Sequence, residues 1–264
     1  MPAKPVPRTP APRKPAWPPK SAPRLFVERE LHEDARIDLD GQAAHYLSRV
    51  MRVAPGDAVI VCDDSTGEWA ARVVDANKRS VTLEVTERLR KREAVPDLWL
   101  CPALLKKDRF DLVLEKATEL GAARIQPLVT RRCVANKLNA DRARTICVEA
   151  AEQCARTALP HLATPVKLDV LLRDWPEDRA LFFADEEGGE PMIEAFRTAG
   201  AGPSGKPAGI VIGPEGGFDD AERGAIRAHP CARPITLGPR ILRGETAAIA
   251  ALAGWMTLAG DWRD

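Results

Sequence analysis

The segment that decides the fold is Gly209–Phe218, which reads GIVIGPEGGF. Its first half predicts a short buried strand, Ile210–Ile212. The strand breaks into a turn where Pro214 fixes its own φ and two later glycines permit close backbone approach. Asp219 then has the character of an N-cap, and Glu222 completes the spacing of a capping box. The segment therefore joins a strand end to a helix start, which is where open α/β sheets bind ligands.

A second segment, Leu237–Thr246, repeats this pattern with the sequence LGPRILRGET. A short strand at 235–237 leads into a Gly-Pro turn, and a helix follows from about Glu245 to Leu258. One such loop alone is typical of an ordinary strand–helix connection. Two of them, one carrying Arg243 and Glu245 among glycines, favour a ligand site.

These motifs resemble those of a known family. GPEGGF at 213–218 and LGPRILRGETA at 237–247 are similar to the motifs of SPOUT-class RNA methyltransferases, and more narrowly to the RsmE family. KKDR at 106–109, KATELG at 116–121 and EAAEQCAR at 149–156 agree with it. The resemblance runs from about Arg24 to the C-terminus. It implies S-adenosyl-L-methionine as the cofactor and methylation of N3 of a uridine in 16S ribosomal RNA, with U1498 as the expected target.

Two other functions stay open at this point. One is a SPOUT enzyme that methylates a ribose 2′-hydroxyl. The other is a non-catalytic RNA-binding factor for ribosome assembly. The β-rich first domain and the segments upstream of the two loops favour the uridine-base family, while the intact loops argue against lost donor binding.

The pattern along the chain predicts an α/β protein with two domains. Strands at Ala58–Cys62, Trp69–Val74 and Val81–Val85, after a helix at Ala43–Met51, indicate a small β domain. A charged connector at Thr86–Glu93 precedes alternating strands and helices, which indicate a mostly parallel sheet. That part has strands at 98–103, 124–128 and 180–184, and helices at 109–120, where Gly121 is the expected stop, and 141–157.

The resemblance adds names to these domains. It implies a PUA-like, RNA-binding β-barrel at 24–92 and a SPOUT methyltransferase domain with a trefoil knot at 96–264. Residues 1–23 hold nine prolines, five basic residues and no acidic one, which predicts a disordered tail. Residues 200–206 have the spacing of a phosphate-binding P-loop, but Pro207 replaces the required Ser or Thr, so we expect a flexible loop.

Composition restricts the function further. The net charge is +1, and without the tail the chain has 34 basic and 38 acidic residues, so RNA binding requires a local basic face. Six scattered cysteines without a CxxC pair predict free thiols and no metal site. The absence of a long apolar run and of a secretory signal predicts a cytoplasmic protein.

The candidate cofactor-binding residues belong to the two glycine loops, whose backbone groups can bind the cofactor, and to the end of the strand predicted at 180–184. Methyl transfer from an activated sulfonium mainly requires that donor and acceptor are held in line. The predicted cofactor-binding residues are Phe183, Ala184, Gly213, Pro214, Gly216, Gly217, Leu237, Gly238, Ile241, Leu242 and Arg243.

Methylation of uracil N3 requires loss of its proton, and negative charge then spreads onto O2 and O4. A cation near these oxygens stabilises that charge, and Arg243 is the candidate. Glu215, Glu245 or water is the candidate base, and the sequence does not decide among them. The predicted RNA-binding residues are Arg24, His45, Arg49, Arg52, Lys106, Lys107, Arg109, Arg131, Arg132, Gln153 and Arg156.

The C-terminal helix predicts a homodimer. Residues 247–256 contain no charged side chain, so a helix there must be buried on most faces. We expect a partner subunit to cover the stripe formed by Leu252, Trp255 and Met256. The resemblance supports this, since SPOUT enzymes are typically two-fold dimers.

Overall fold

The computed structural model describes residues 17–199 and 206–262. The chain forms two compact units that divide between Arg90 and Lys91. Residues 1–16 of the predicted tail and residues 200–205 of the P-loop-like segment lie outside the described residues. In the described parts, no helix has the length and apolar character needed to cross a membrane.

The first unit is built on one five-stranded sheet, as the small β domain predicted from the sequence requires. β1 and β3 are parallel, and the β3–β4 and β2–β5 pairs are antiparallel. Apolar side chains of β3, β4 and β5 fill its core, since alternate residues of a strand point to one face. The strands are β1 Arg24–Phe26, β2 Arg36–Leu39, β3 Ala58–Asp63, β4 Gly67–Ala76 and β5 Val81–Lys91, in the order β1-β3-β4-β5-β2.

Two predictions for this unit need correction. The helix is α1, Gly41–His45, and it continues as a π-helix over Tyr46–Val50 rather than as one α-helix. The charged connector begins later than expected, because β5 continues to Lys91. Within this strand, Arg90 is ion-paired with Glu68 of β4.

The second unit contains a seven-stranded sheet in which every pairing is parallel, as expected from the alternating pattern. β13 is buried along its whole length, as is typical of a central parallel strand covered on both faces. The strands are β6 Leu98–Pro102, β7 Arg124–Ile125, β8 Leu128–Val129, β9 His161–Leu162, β10 Val166–Lys167, β11 Ala180–Ala184, β12 Glu190–Pro191, β13 Ala208–Ile212 and β14 Ala232–Thr236. The large sheet has the order β12-β14-β11-β13-β6-β7-β9, and β8 pairs with β10 separately.

Six helices cover this unit: α2 Lys107–Glu119, α3 Ala140–Cys154, α4 Leu168–Arg173, α5 Met192–Ala199, α6 Asp220–Ala228 and α7 Gly244–Leu258. Gly121 follows α2 with φ +89°, the left-handed geometry expected of a glycine stop. The capping box of α6 is confirmed, because Asp219 Oδ1 accepts from Glu222 N at 2.7 Å and Glu222 Oε2 from Asp219 N at 3.3 Å. α3 ends earlier than predicted, at Ala155 in the left-handed region.

α7 lies where the sequence predicts it, but its large side chains are not a bare stripe. Leu252, Trp255 and Met256 are buried within the unit. The Trp255 ring contacts Phe182 on β11 and Phe196 on α5, at centroid distances of 5.6 and 5.3 Å. The expectation that a partner subunit covers this stripe is therefore wrong, because the subunit's own sheet and α5 cover it. The trefoil knot stays a prediction.

Candidate active site

Three loops meet at one edge of the large sheet. β14, β11 and β13 are neighbours and all parallel, so the loops that follow their carboxyl ends lie side by side. They enclose a cleft of about 520 Å³. Its lining residues are Arg109, Ala184, Asp185, Glu186, Ile212, Gly213, Pro214, Glu215, Gly216, Gly217, Thr236, Leu237, Gly238, Pro239, Arg240, Ile241, Leu242, Arg243, Gly244 and Ala247.

The loop after β13 is held tightly against its neighbours. Gly217 has φ +67°, in the left-handed region that favours glycine. A Cβ on Gly213 would lie 3.0 Å from Cε2 of Phe218, so the ring packs directly on the backbone. Arg132 Nη1 donates to the carbonyl oxygens of Gly216 and Phe218 at 3.0 and 3.2 Å. These contacts hold the loop against Phe218 and Arg132.

The loop after β14 is more open. Gly238 has φ +115°, and a Cβ placed on it would have no neighbour within 4 Å. The side chain of Ile241 is 90% exposed, although it lines the cleft. At the end of this loop Gly244 begins α7, and a Cβ there would lie 3.3 Å from the Gly213 carbonyl oxygen. The two loops therefore touch through backbone, as close approach to a ligand requires.

A charged cluster centres on Arg109, which lines the cleft. Arg109, on α2, has Nη1 3.6 Å from Glu215 Oε1 and Nε 3.9 Å from Glu245 Oε1. Glu245 is only 8% exposed, and its Oε2 has no hydrogen-bond partner among the described residues. Arg243 is exposed at the N-cap of α7. Of the three residues predicted to take part in catalysis, Arg243 and Glu215 line the cleft, while Glu245 lies behind it and is linked to Glu215 through Arg109.

The third wall is acidic, and sequence reasoning missed it. Asp185 and Glu186 follow β11 and line the cleft. Arg223 on α6, only 7% exposed, donates from Nε to Asp185 Oδ1 at 3.2 Å and also pairs with Glu186 and Glu187. Burial lowers the pKa of the Arg223 guanidinium, but these three carboxylates outweigh it and raise the pKa above its usual value. The run DEEGGE directly after a buried strand was the available signal.

The predicted cofactor residues form one site, with a single exception. Every one except Phe183 lines the cleft. Phe183 is fully buried, and its ring packs on Phe218 at a centroid distance of 5.3 Å. Its side chain therefore supports the loop from behind instead of facing the cleft. The last residue of the strand, Ala184, reaches the cleft because the chain leaves the sheet there.

The predicted RNA-binding residues divide into several groups. His45, Arg49 and Arg52 are exposed in the first unit, and Lys106 and Lys107 are exposed at the start of α2. Arg24 is 3.0 Å from Glu68 in a mostly buried ion pair, so it acts chiefly within the first unit.

Two other predicted contacts have structural surroundings. Arg156 is buried and donates to the carbonyl oxygens of Thr118 and Ala122 at 2.6 and 2.8 Å, so its guanidinium is not presented to RNA. Gln153 is exposed on α3 but lines a groove of about 620 Å³ that is rich in carboxylates, which disfavours a phosphate contact.

Arg131 and Arg132 lie beside the cleft loop that they were expected to flank. Arg131 Nη1 is 2.8 Å from Asp219 Oδ2, and its backbone N donates to Glu222 Oε1 at 2.8 Å. The backbone hydrogen bond from Glu222 and the Arg131 side chain together lower the pKa of Asp219. Both arginines are exposed. Within the described part of the chain, no group of three or more His, Cys, Asp or Glu side chains is arranged to hold a metal ion.

Comparison with known proteins identifies the family of the chain. A family model described as an RNA methyltransferase domain matches residues 91–256, and one described as an RNA methyltransferase PUA domain matches 39–86. A ribosomal RNA small subunit methyltransferase E from Synechocystis is 36% identical over 239 residues, covering 87% of this chain and 76% of the relative. The protein of the same description from Rickettsia conorii is 29% identical over 231 residues, covering 87% and 93%.

Solved structures give the same result. A ribosomal RNA small subunit methyltransferase E from Neisseria gonorrhoeae, bound to S-adenosyl methionine, superposes with a TM-score of 0.80 at 26% identity, covering 91% of this chain and 99% of the other. A putative methyltransferase from Legionella pneumophila, also in complex with that cofactor, gives 0.79 at 29%, with the same coverage. The predicted α/β architecture, an N-terminal PUA domain followed by a mostly parallel SPOUT domain, is confirmed. The chain belongs to the ribosomal RNA small subunit methyltransferase E family.

Proposed function

We propose that this chain transfers a methyl group from S-adenosyl-L-methionine to N3 of a uridine in small-subunit ribosomal RNA. The observation that carries the proposal is a glycine-loop cleft in which a lining cation, Arg109, pairs with a buried carboxylate. The glycine loops offer backbone to a donor, and Glu245, 3.9 Å from Arg109, has one buried oxygen without a hydrogen-bond partner among the described residues.

The residues of the cleft fit the donor. Its volume of about 520 Å³ falls in the usual range for small-molecule sites, roughly 300–1,000 Å³. The backbone of Gly213 and Gly217 and of the loop 237–243 would hold the adenosine and methionine parts, and the exposed Ile241 side chain would lie against the apolar part. When bound, S-adenosylmethionine supplies a methyl group on an activated sulfonium.

The chain's own residues then act on the uracil ring. N3 carries a proton at neutral pH, and its removal leaves negative charge on O2 and O4. Arg243 is placed to stabilise that charge, since it lies exposed at the rim of the cleft. Glu245 is our candidate to accept the N3 proton, because its Oε2 is buried and unpartnered while Oε1 lies near Arg109. Glu215, which Arg109 also contacts, is the alternative.

RNA would be held by exposed cations of both units. Lys106, Lys107, Arg131 and Arg132 are exposed on the second unit, where Lys106 and Arg132 contact the loop after β13, and Arg49 and Arg52 are exposed on the first. Each cation that neutralises a phosphate makes binding more salt-dependent, with a slope of about −0.7 to −0.9 in log affinity against log salt. A ribosomal RNA substrate places the reaction in the cytoplasm.

We also propose that the chain acts as a homodimer through the outer face of α7. Ile249, Ala250 and Ala253 lie on that face, and each is only partly buried within the subunit. The small side chains of Ala250 and Ala253 permit close approach of a second helix. A two-fold interface on this face is self-complementary and lies on the helix that carries Glu245.

The test of the proposed reaction is nucleotide mapping. Ribosomal RNA from cells lacking the protein is incubated with purified protein and isotopically labelled donor, and the modified nucleotide is identified by mass spectrometry. We expect one labelled uridine whose mass and Watson–Crick behaviour show a methyl group on N3. Label on a ribose would exclude base methylation, and absence of label with intact donor binding would exclude catalysis on this RNA. The variants Glu245→Gln and Glu215→Gln are then compared, with donor affinity measured for each. The proton acceptor is the residue whose variant loses methyl transfer but keeps its donor affinity.

A further inference from the structure

The end of the π-helix presents two adjacent apolar side chains to solvent, Val50 as its last residue and Met51 directly after it. Val50 is 61% exposed and Met51 is 38% exposed. Single exposed apolar side chains are common and need no explanation, but here two neighbours share one tip. The side chains just before them, Leu47 and Ala44, are buried in the core of the unit. The tip therefore projects from a fixed base.

The backbone of this tip is unusual in two ways. The π-helix is closed by a hydrogen bond from Met51 N to the Tyr46 carbonyl oxygen at 3.0 Å, and Val53 N donates to the Leu47 carbonyl oxygen at 3.0 Å. Arg52 has φ +55°, a conformation that side-chain-bearing residues seldom adopt. π-helical turns and left-handed non-glycine residues both cluster at functional positions. The strain is held in place by the two backbone hydrogen bonds.

The charge around the tip selects the kind of partner. Residues 41–56 contain no Asp or Glu, although acidic residues stand at both ends of that segment. His45, Arg49 and Arg52 are exposed within it. An apolar tip surrounded by cations complements an unpaired nucleic-acid strand, which offers apolar base faces beside phosphates.

We infer that Val50 and Met51 contact the bases of unpaired RNA nucleotides while Arg49 and Arg52 contact the neighbouring phosphates. This inference rests on the proposed function, since it specifies how the first unit recognises the RNA. In a duplex the faces of the bases are stacked on one another and are not accessible. Val50 and Met51 should therefore favour single-stranded or loop regions. Aliphatic side chains are used in this way by proteins that insert apolar wedges between bases.

The experiment compares two RNA probes with the full-length chain. One is a short uridine-rich single strand, and the other is a fully paired duplex of equal length. The double variant Val50→Ser/Met51→Ser is measured beside a control, Val74→Ser, which removes from β4 a valine that is 38% exposed, as Met51 is. Thermal unfolding of each variant verifies that it is folded. The salt dependence of binding is measured for each combination of protein and RNA probe.

We expect the double variant to bind the single strand about tenfold more weakly, or ~1.4 kcal/mol, with an unchanged salt slope and an unchanged affinity for the duplex. The control should bind both probes normally. Arg49→Gln/Arg52→Gln should instead weaken binding of both probes and reduce the slope by about 1.4–1.8, since two phosphate contacts are lost. Unchanged single-strand affinity in the folded double variant, or an equal loss on both probes, would overturn the inference. A change in oligomeric mass with normal RNA affinity would also overturn it and assign the tip to contact between copies.

A failure of the proposed reaction can be distinguished from a failure of this inference. These affinities need no methyl donor, so a chain that binds RNA as described but transfers no methyl group would contradict only the proposed function.

Discussion

Arg223 Nε lies 3.2 Å from Asp185 Oδ1, joining two residues that are 38 positions apart in sequence. Asp185 belongs to the loop after β11 and Arg223 to α6, the helix that begins directly after the loop following β13. Arg227 Nη2 also contacts Asp185, at 2.6 Å from Oδ2. These ion pairs thus join two walls of the cleft to each other, the loop after β11 and the segment after β13.

Arg223→Gln should separate these walls. It leaves the buried Asp185 carboxylate with one cation fewer, and we expect a loss of about 3 kcal/mol in the free energy of unfolding, the lower end for a broken buried pair because Arg227 remains. Affinity for S-adenosylmethionine should fall with it, as measured by calorimetry below the unfolding temperature. Arg197→Gln removes an exposed pair with Glu194 and should change neither quantity appreciably. Normal donor affinity in the folded Arg223→Gln protein would show that the fastening does not shape the cleft.

Gly217→Ala should damage the donor site more than Gly216→Ala. Gly217 has φ +67°, and a Cβ on it would lie 2.5 Å from Glu186 Oε1, whereas Gly216 has no such backbone and its Cβ would meet Arg132 Cβ at 3.4 Å. Left-handed strain of about 1–3 kcal/mol at Gly217 should appear as roughly a ten- to hundredfold weaker donor affinity. Gly216→Val, with a larger side chain at the cleft, should still block the donor. Isothermal titration of the three folded variants tests the order, and equal affinities would contradict it.

Arg243→Ala should reduce methyl transfer far more than donor binding. Its cation is proposed to act on charge that develops only in the transition state, so we expect a fall of roughly 10²–10³-fold in kcat. Single-turnover transfer to ribosomal RNA and donor affinity are measured on the same preparation. Arg240→Ala, which removes another exposed cation from the same loop, is the matched control. A parallel loss of both quantities in Arg243→Ala would mean that it only binds.

Acid should lower the free energy of unfolding of the first unit by protonating the Asp63 carboxylate. Burial alone would raise the pKa of this carboxyl, but hydrogen bonds from the Thr66 side chain and from the backbone of Leu31, Gly67 and Thr66 outweigh it and lower the pKa below the usual 3.8. The stability that the Asp63 carboxylate contributes is therefore fully present above pH 3.8. It is lost as the pH falls through the lower pKa of Asp63 in the folded state. Asp63→Asn should cost about 1–3 kcal/mol at neutral pH and remove that part of the acid dependence. Urea unfolding at pH 7 and pH 3.5, followed by tryptophan fluorescence, measures both, and an unchanged acid dependence would rule Asp63 out.

Ala253→Glu should yield monomers. Ala253 is partly exposed on the outer face of α7, so a carboxylate there would be tolerated by the subunit but not by a close helix pair. Ala251→Glu is not a clean test, because Ala251 is buried in the subunit core. Light scattering should give twice the 28.8 kDa chain mass for the unchanged protein and the single mass for the variant. An unchanged protein that is monomeric and active would refute the dimer.

The elements that sequence predicted well have local causes. β11 was predicted to the residue, because an apolar run ends where Asp185 begins a polar loop. The capping box at Asp219 was readable because its two hydrogen bonds join residues three apart. One predicted strand, 124–128, is instead β7 and β8, since Pro127 cannot donate a ladder hydrogen bond.

What the sequence could not show depends on distant contacts. An arginine on a helix gives no sign that its guanidinium will be buried, so Arg156 was assigned to RNA although it bonds two carbonyl oxygens in the core. The acidic wall and the bridge from Arg109 to Glu215 and Glu245 join residues more than thirty positions apart. The apolar circumference of α7 was seen correctly, but only packing on α5 and the sheet shows which neighbour covers it.

The contact between Gly213 and Gly244 sets a limit on how this cleft can vary. A Cβ on Gly244 would lie 3.0 Å from Leu105 Cδ2 and 3.3 Å from the Gly213 carbonyl oxygen, while one on Gly213 would press on Phe218. Either glycine could gain a methyl group only if the packed neighbour, the Phe218 ring or the Leu105 side chain, moved by a few tenths of an ångström. During divergence, a larger residue at either position is therefore expected to require a compensating change in that neighbour.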